Sequence, residues 1–315
     1  MKVIITGGTG FIGSNLTERL VKNGNEVVIV DKARNDRITN EFMQKMKVMK
    51  IRLIETDITN KDAIAKAFRE DSYDAVVHLA GKSDVRESVN DIENFENVNV
   101  KGTISVLEAA RLADIKKIVF ASSSSVYGEL KSRAFKEDDD TDNHASPYGA
   151  TKKMAEICCR MYSSLYGIDI PMLRFFTVYG PRGRLNMSVM RFIKSIEEGV
   201  VLEVHAKGKI KRDFVYIDDV LSSIEACTKK GVGTDAINIG SGKYHELNKI
   251  IKIIEKNMGK KSGVRYVPMQ RGDVLSTCAD IRKAKKMLGW RSSTSLEEGI
   301  RKTVEWWNRG GRKLY

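Results

Sequence analysis

The chain is predicted to be an α/β protein, a Rossmann-type doubly wound parallel sheet with a smaller C-terminal substrate-binding lobe. Three observations carry this. A short apolar run, Val3 to Ile5, leads straight into the glycine cluster Gly7-Gly8-Thr9-Gly10-Phe11-Ile12-Gly13. Apolar residues Phe11, Ile12, Leu16, Leu20 and Val21 then recur at helical spacing, so the order is strand, tight turn, helix. Alternation of apolar runs with amphipathic stretches continues as far as Arg174, the pattern of parallel strands joined by crossover helices.

In chain order, the buried-strand candidates are Val3–Ile5, Val27–Val30, Arg52–Glu55, Ala75–His78, Ile118–Ala121 and Pro171–Arg174. They read as near-continuous apolar runs because helices on both faces would cover them. Asp62–Arg69 and Asn97–Leu112 are helical between them, and Tyr148–Leu165 is a third helix. The acidic segment Glu137–Asp142 is a surface loop. After Arg174 the alternation becomes irregular. The expected division is a NAD-binding domain over 1–176, with 211–242 returning to it, and a nucleotide-sugar lobe over 177–210 and 243–315.

Length and composition fit two lobes in a globular chain: 315 residues, 42% hydrophobic and 30% charged. No apolar run approaches the ~20 residues of a membrane helix, and Met1 leads directly into the first strand, so a cytoplasmic protein without a signal peptide is expected. Cys158, Cys159, Cys227 and Cys278, like the four histidines, show no metal-motif spacing, and no metal is expected. The net charge of +13 is spread along the chain without interleaved aromatics. Nucleic-acid binding is therefore not expected, whereas an anionic substrate would be attracted.

The glycine turn suits a pyrophosphate. Gly7, Gly8 and Gly10 allow close backbone approach, and Gly13 lets the helix pack against the strand with its positive end toward the phosphates. Asp31 ends the second apolar run, where a carboxylate accepts bonds from the adenosine ribose hydroxyls. Lys32 and Arg34 follow and suit a 2′-phosphate, but Asp31 would repel one, so NAD is favoured over NADP. Tyr148 and Lys152, in Ser-Pro-Tyr-Gly-Ala-Thr-Lys, lie one helical turn apart. A phenol needs a neighbouring cation to act as a base at neutral pH, and Lys152 is placed to be that cation.

The Gly7 to Gly13 fingerprint, Asp57-Ile58, His78-Leu-Ala-Gly81, Asn99, the serine run before Val126-Tyr127-Gly128, and the Tyr148/Lys152 pair together resemble the extended short-chain dehydrogenase/reductase family. Leu173–Pro181, Arg212–Asp219, Asn238-Ile-Gly240 and Arg271-Gly-Asp-Val274 are similar to its nucleotide-sugar epimerases. The resemblance implies a catalytic set of Ser123, Tyr148 and Lys152, with Ser122 and Ser124 orienting Ser123. It implies NAD contacts at Gly7, Gly10, Phe11, Ile12, Gly13, Asp31, Lys32, Asp57, Ile58, Leu79, Ala80, Gly81 and Asn99, together with Tyr148 and Lys152. For a UDP-sugar it implies Lys82, Arg86, Ser124, Thr177 and Arg184, with Arg212 on the diphosphate and Arg271 with Asp273 at the nucleotide end. A homodimer through the helices near 97–112 and 148–165 is implied as well.

The reaction so implied is UDP-sugar 4-epimerisation through a 4-keto sugar. Dehydratases and decarboxylases of this scaffold carry carboxylates directly after the catalytic hydroxyl residue, where this chain has Ser124-Ser125, so elimination lacks its usual proton donor. A net reductase would release reduced cofactor. A non-catalytic sugar-nucleotide or RNA binder would leave the sugar unchanged. Phe175–Arg184 followed by Asn186-Met187 is similar to UDP-glucuronate epimerases. Thr177 and Arg184 are the candidates to hold the carboxylate on carbon 6, with Arg86 and Arg182 as further cations. The loop Gly81–Arg86 departs from the usual glucuronate pattern, and Lys82 resembles glucose epimerases, which keeps UDP-glucose as the second substrate.

Overall fold

The computed structural model describes residues 1–33, 36–129, 134–269 and 274–315. Its first half alternates strand and helix: β1 (Lys2–Thr6), α1 (Phe11–Lys22), β2 (Glu26–Asp31), α2 (Arg37–Val48), β3 (Arg52–Glu55), α3 (Lys61–Arg69) and β4 (Ala75–His78). Two short helices follow, α4 (Val85–Asn90) and α5 (Ile92–Glu96), then α6 (Gly102–Leu112), β5 (Ile118–Ser123), α7 (Pro147–Tyr166) and β6 (Met172–Phe175). The remainder is β7 (Thr177–Tyr179), α8 (Ser188–Glu198), β8 (Leu202–His205), β9 (Lys211–Tyr216), α9 (Ile217–Lys229), β10 (Ala236–Ile239), β11 (Tyr244–Glu246), α10 (Leu247–Met258), β12 (Val264–Val267), α11 (Arg282–Leu288) and α12 (Leu296–Asn308).

Seven strands form one sheet in the order β10-β6-β5-β4-β1-β2-β3, and every pairing in it is parallel. Strand order reverses between β1 and β4, and the crevice at that switch point is where open sheets take ligands. β4, β5 and β6 are buried along their whole length, as expected for strands covered on both faces. One apolar layer, including Leu16, Leu20, Phe42 and Ile224, fills one face, while Ile64, Phe68, Leu107 and Ile170 pack the other.

Two differences from the sequence reading have physical causes. Asn97–Leu112 is not one regular helix: its first five residues, Asn97–Lys101, wind as a π-turn before α6. Such turns gather at functional sites, and this one presents Asn99 to the loop after β4. Within 211–242, β9 does not join the large sheet. It pairs in parallel with β7 and antiparallel with β11, and the return to the large sheet is made by β10 beside β6.

Among the described residues no helix is long and apolar enough to cross a membrane.

Candidate active site

The glycine turn is forced by what surrounds it. Gly7 has φ +72°, and a Cβ there would sit 2.6 Å from the Ala80 nitrogen. A Cβ on Gly13 would come within 2.2 Å of the Gly7 carbonyl oxygen, so only glycine lets α1 dock on the turn. Gly10 caps α1 without a side-chain bond, which leaves the first-turn N–H groups facing the crevice. Asp31, at the end of β2, accepts from the Thr9 nitrogen at 2.9 Å and the Thr9 hydroxyl at 2.7 Å, both through Oδ2. Lys32 and Asp57 pair at 3.2 Å along the same edge, and Asp57 Oδ1 also takes bonds from Thr59. Ile58 is buried where a Cβ on Gly102 would strike it.

After β4 the chain passes Leu79 and Ala80, tied to Thr6, and reaches Gly81. A Cβ on Gly81 would lie 3.4 Å from Lys152 Nζ and 3.0 Å from Asn99 Oδ1. Asn99 accepts from the Lys82 nitrogen at 2.8 Å and donates to the Lys82 carbonyl and the Thr151 hydroxyl, each at 3.0 Å. Both amide protons are thus spent on the protein. Asn99 braces the loop after β4 against α7.

Ser123 ends β5, and Tyr148 and Lys152 stand in the first turns of α7. Ser146 caps that helix by accepting from the Gly149 nitrogen at 3.2 Å, and Pro147 pre-sets its first turn. Gly149 packs so closely on the serine turn that a Cβ would lie 2.3 Å from the Ser125 carbonyl oxygen. Ser123 and Tyr148 line the same cleft, with Ser123 near enough to lower the phenol. Burial pushes the Tyr148 phenol above its ordinary value, opposed by the Ser123 bond and the charge of Arg184. Lys152 is pushed down to about 8 by burial; its Nζ donates to the Ala121 carbonyl at 2.9 Å.

These residues open on a cleft of about 610 Å³. Of the positions singled out in the sequence, Phe11, Ile12, Leu79, Gly81, Lys82, Arg86, Ser123, Ser124, Tyr148, Lys152, Thr177, Arg184 and Arg212 line it. Lys82 is held by Glu87 at 2.7 Å and Asp91 at 3.1 Å. Arg184 Nη1 donates to Ser83 Oγ at 2.7 Å. Beside Arg212 on β9, buried Asp213 collects the nitrogens of Ser241, Gly242 and Ala279 and the Ser241 hydroxyl, which fixes that strand. Arg271 and Asp273 lie outside the described residues, as does Arg34.

Two expectations are overturned. Ser122 does not orient Ser123: although it lines the cleft, its hydroxyl donates to Glu156 Oε1 at 2.6 Å. Arg182 is no substrate cation, because it is buried against Glu18 at 2.6 Å and over the Phe42 ring. What the sequence reading missed is the network behind the site. Arg174 and Glu156, both fully buried, form a two-bond ion pair at 2.9 and 2.8 Å, and Arg174 also donates to the Tyr127 hydroxyl at 2.8 Å. The available signal was an arginine inside an apolar strand and a glutamate one turn beyond Lys152.

The profile of the GDP-mannose 4,6 dehydratase family matches residues 4–303. A UDP-glucuronate 4-epimerase of Thermodesulfobacterium geofontis is 41% identical over 309 residues, covering 96% of this chain and 95% of that protein. The solved structure of UDP-glucuronic acid 4-epimerase from Bacillus cereus, in complex with UDP-glucuronic acid and NAD, is 35% identical with a TM-score of 0.92 over 100% of both chains. UDP-glucose 4-epimerase from Thermotoga maritima, solved with UDP-glucose, is 29% identical with a TM-score of 0.91 over 98% of this chain and 99% of that one.

Proposed function

We propose a function on the premise that this chain belongs to the GDP-mannose 4,6 dehydratase family, within the extended short-chain dehydrogenases/reductases: it is an NAD-dependent UDP-sugar 4-epimerase, and UDP-glucuronate is the substrate its cleft suits best. The glycine turn, with its two positions that exclude a Cβ, fits the pyrophosphate of NAD, and Asp31 and Asp57 face the adenosine end. Bound there, NAD would supply the hydride acceptor and donor for carbon 4 of the sugar. Tyr148 takes the proton from the 4-hydroxyl, and Ser123, which lines the cleft with it, would hold the same oxygen. Lys152, one turn from Tyr148 in the cleft, would as an ammonium favour the Tyr148 phenolate and help hold NAD. Arg212 and, by resemblance, Arg271 with Asp273 anchor the nucleotide while the ketone turns over.

The observation that carries the glucuronate reading is Arg184, which lines the sugar end of the cleft near enough for its charge to act on Tyr148. Thr177 lines the same end. Elimination is disfavoured for a structural reason. Among the described residues the carboxylates lining the cleft are Asp84 and Glu87, engaged at the α4 N-terminus and on Lys82. Neither adjoins Ser123.

Incubation with UDP-glucuronate, UDP-glucose and their N-acetyl counterparts, read by proton NMR, tests the assignment. Galacturonate product without net redox change is expected. Loss of the general base in Tyr148→Phe should lower turnover ~10²–10⁴-fold while NAD stays bound. Full activity in that variant refutes the mechanism.

The assembly we propose is a homodimer. Met154, Ile157, Met161 and Leu165 on α7 are 47–64% exposed, at the spacing of one helical seam, and Ile104 and Leu112 of α6 extend the patch. A NAD-binding domain over 1–176 with β10 returning to it, and a nucleotide-sugar lobe from the rest, is the division we favour. Four free cysteines and a NAD requirement suit a cytoplasmic location.

A further inference from the structure

We propose that Ser83 and Asp84, on the loop after β4, join Arg184 and Asn186, on the loop before α8, in a two-point clasp across the cleft that aims the Arg184 guanidinium at the carbon 6 carboxylate and keeps the 4-keto intermediate from losing it. The inference rests on the UDP-glucuronate reading and adds the residues that position Arg184. The first bond runs from Arg184 Nη1 to Ser83 Oγ at 2.7 Å, the second from Asn186 Nδ2 to Asp84 Oδ2 at 2.5 Å. Asp84 is already rigid. Its Oδ1 accepts the backbone N–H groups of Arg86 and Glu87 at 2.9 and 3.0 Å, so the carboxylate is fixed as the N-cap of α4.

The rest of the geometry agrees. Arg184 Nη2 rests on the Met187 sulfur at 3.7 Å, which fixes the other arm of the fork. Ser83, Asp84, Arg184 and Asn186 all line the cleft that holds Tyr148. Each bond joins segments about a hundred residues apart, so the two loops are tied together at Arg184 and at Asn186.

The chemistry that needs this aim is specific. A 4-keto glucuronate is a β-keto acid. When its carboxylate bond lies parallel to the carbonyl π system, that bond breaks, its electron pair forms the enolate, carbon dioxide leaves and the carbon takes a proton. No oxidant is required beyond the step that made the ketone. A guanidinium fork fixed in direction holds the carboxylate near the carbonyl plane, where that overlap is lost.

The test is product partition from UDP-glucuronate labelled with ¹³C at carbon 6, reading epimer against released ¹³CO₂ by NMR. Loss of one bond to a charged group should raise carbon dioxide per epimerisation about tenfold in Ser83→Ala. Asp84→Asn, which keeps a capping oxygen but turns a donor toward Asn186, should raise it similarly. Ser83→Thr should restore the wild-type ratio. An unchanged ratio in both disruptive variants, with or without a lower kcat or thermal midpoint, overturns the clasp and leaves the epimerase reading standing. A wild-type enzyme that does not convert UDP-glucuronate overturns both.

Discussion

Glu156→Gln tests the buried pair behind the site. The native carboxylate accepts Arg174 Nε at 2.9 Å and Ser122 Oγ at 2.6 Å through Oε1, and Arg174 Nη2 at 2.8 Å through Oε2. Glutamine keeps the shape and one acceptor, but its amide nitrogen would face a guanidinium or hydroxyl donor, and Arg174 would be left as an uncompensated buried charge. Breaking such a pair from one side costs about 3–5 kcal/mol. With an unfolding entropy of about 2.1 cal/mol/K per residue over 315 residues, each kcal/mol is worth about 1.5 °C, so the midpoint should fall by about 5–8 °C. A second readout separates electrostatics from packing. The Glu156 charge is one of the influences that raise Lys152, which burial pushes down to about 8. Activity needing the ammonium persists below that value and fades above it, so the alkaline limb of the pH–rate profile should move to lower pH. Differential scanning fluorimetry and a pH profile measure both. Removing the two charges together in Glu156→Gln/Arg174→Met should recover part of the lost stability. A wild-type midpoint with an unmoved alkaline limb would refute the reasoning.

Three further outcomes are expected. His78 is buried between Thr6 and Thr103, and burial lowers it to about 3. The unfolded chain takes up that proton near its ordinary 6.5, so stability should fall as pH drops through the window from 6.5 to 3, and His78→Gln should flatten that part of the urea midpoint against pH. Gly7→Ala places a Cβ at φ +72° against the Ala80 backbone, and the purified variant should carry much less NAD, measured by release in acid; wild-type occupancy would contradict the turn geometry. Ile157→Lys combined with Met161→Lys should convert a dimer to a monomer in light scattering, and an unchanged mass would place the interface elsewhere.

Much of this molecule was legible because its local rules are strong. Ala75–His78 was delimited to the residue, since a strand covered on both faces leaves an uninterrupted apolar run, and Arg52–Glu55, though partly exposed at the sheet edge, was delimited as well. The glycine turn was equally clear, because close approach at Gly7 and Gly13 admits no other residue. Less legible were groups whose partners lie far along the chain. Arg182 and Arg184 are two positions apart, yet one is buried on Glu18 and the other bridges to Ser83. Nothing in the spacing of arginines distinguishes them. The π-turn at Asn97–Lys101 was hidden for a similar reason: it places Asn99 where its amide bonds to Lys82 and Thr151, partners far along the chain.

Taken alone, the amino-acid order determined the parallel sheet, the glycine turn and the residue types of the proposed catalytic set, since periodicity, glycine and one-turn spacing are properties of neighbouring positions. Only the tertiary structure decided where charged side chains point: Ser122 toward Glu156, Lys152 onto the Ala121 carbonyl, Arg184 across the cleft to Ser83. Those directions depend on which distant groups pack close enough to share a hydrogen bond once water is excluded, and that is a property of the folded chain as a whole.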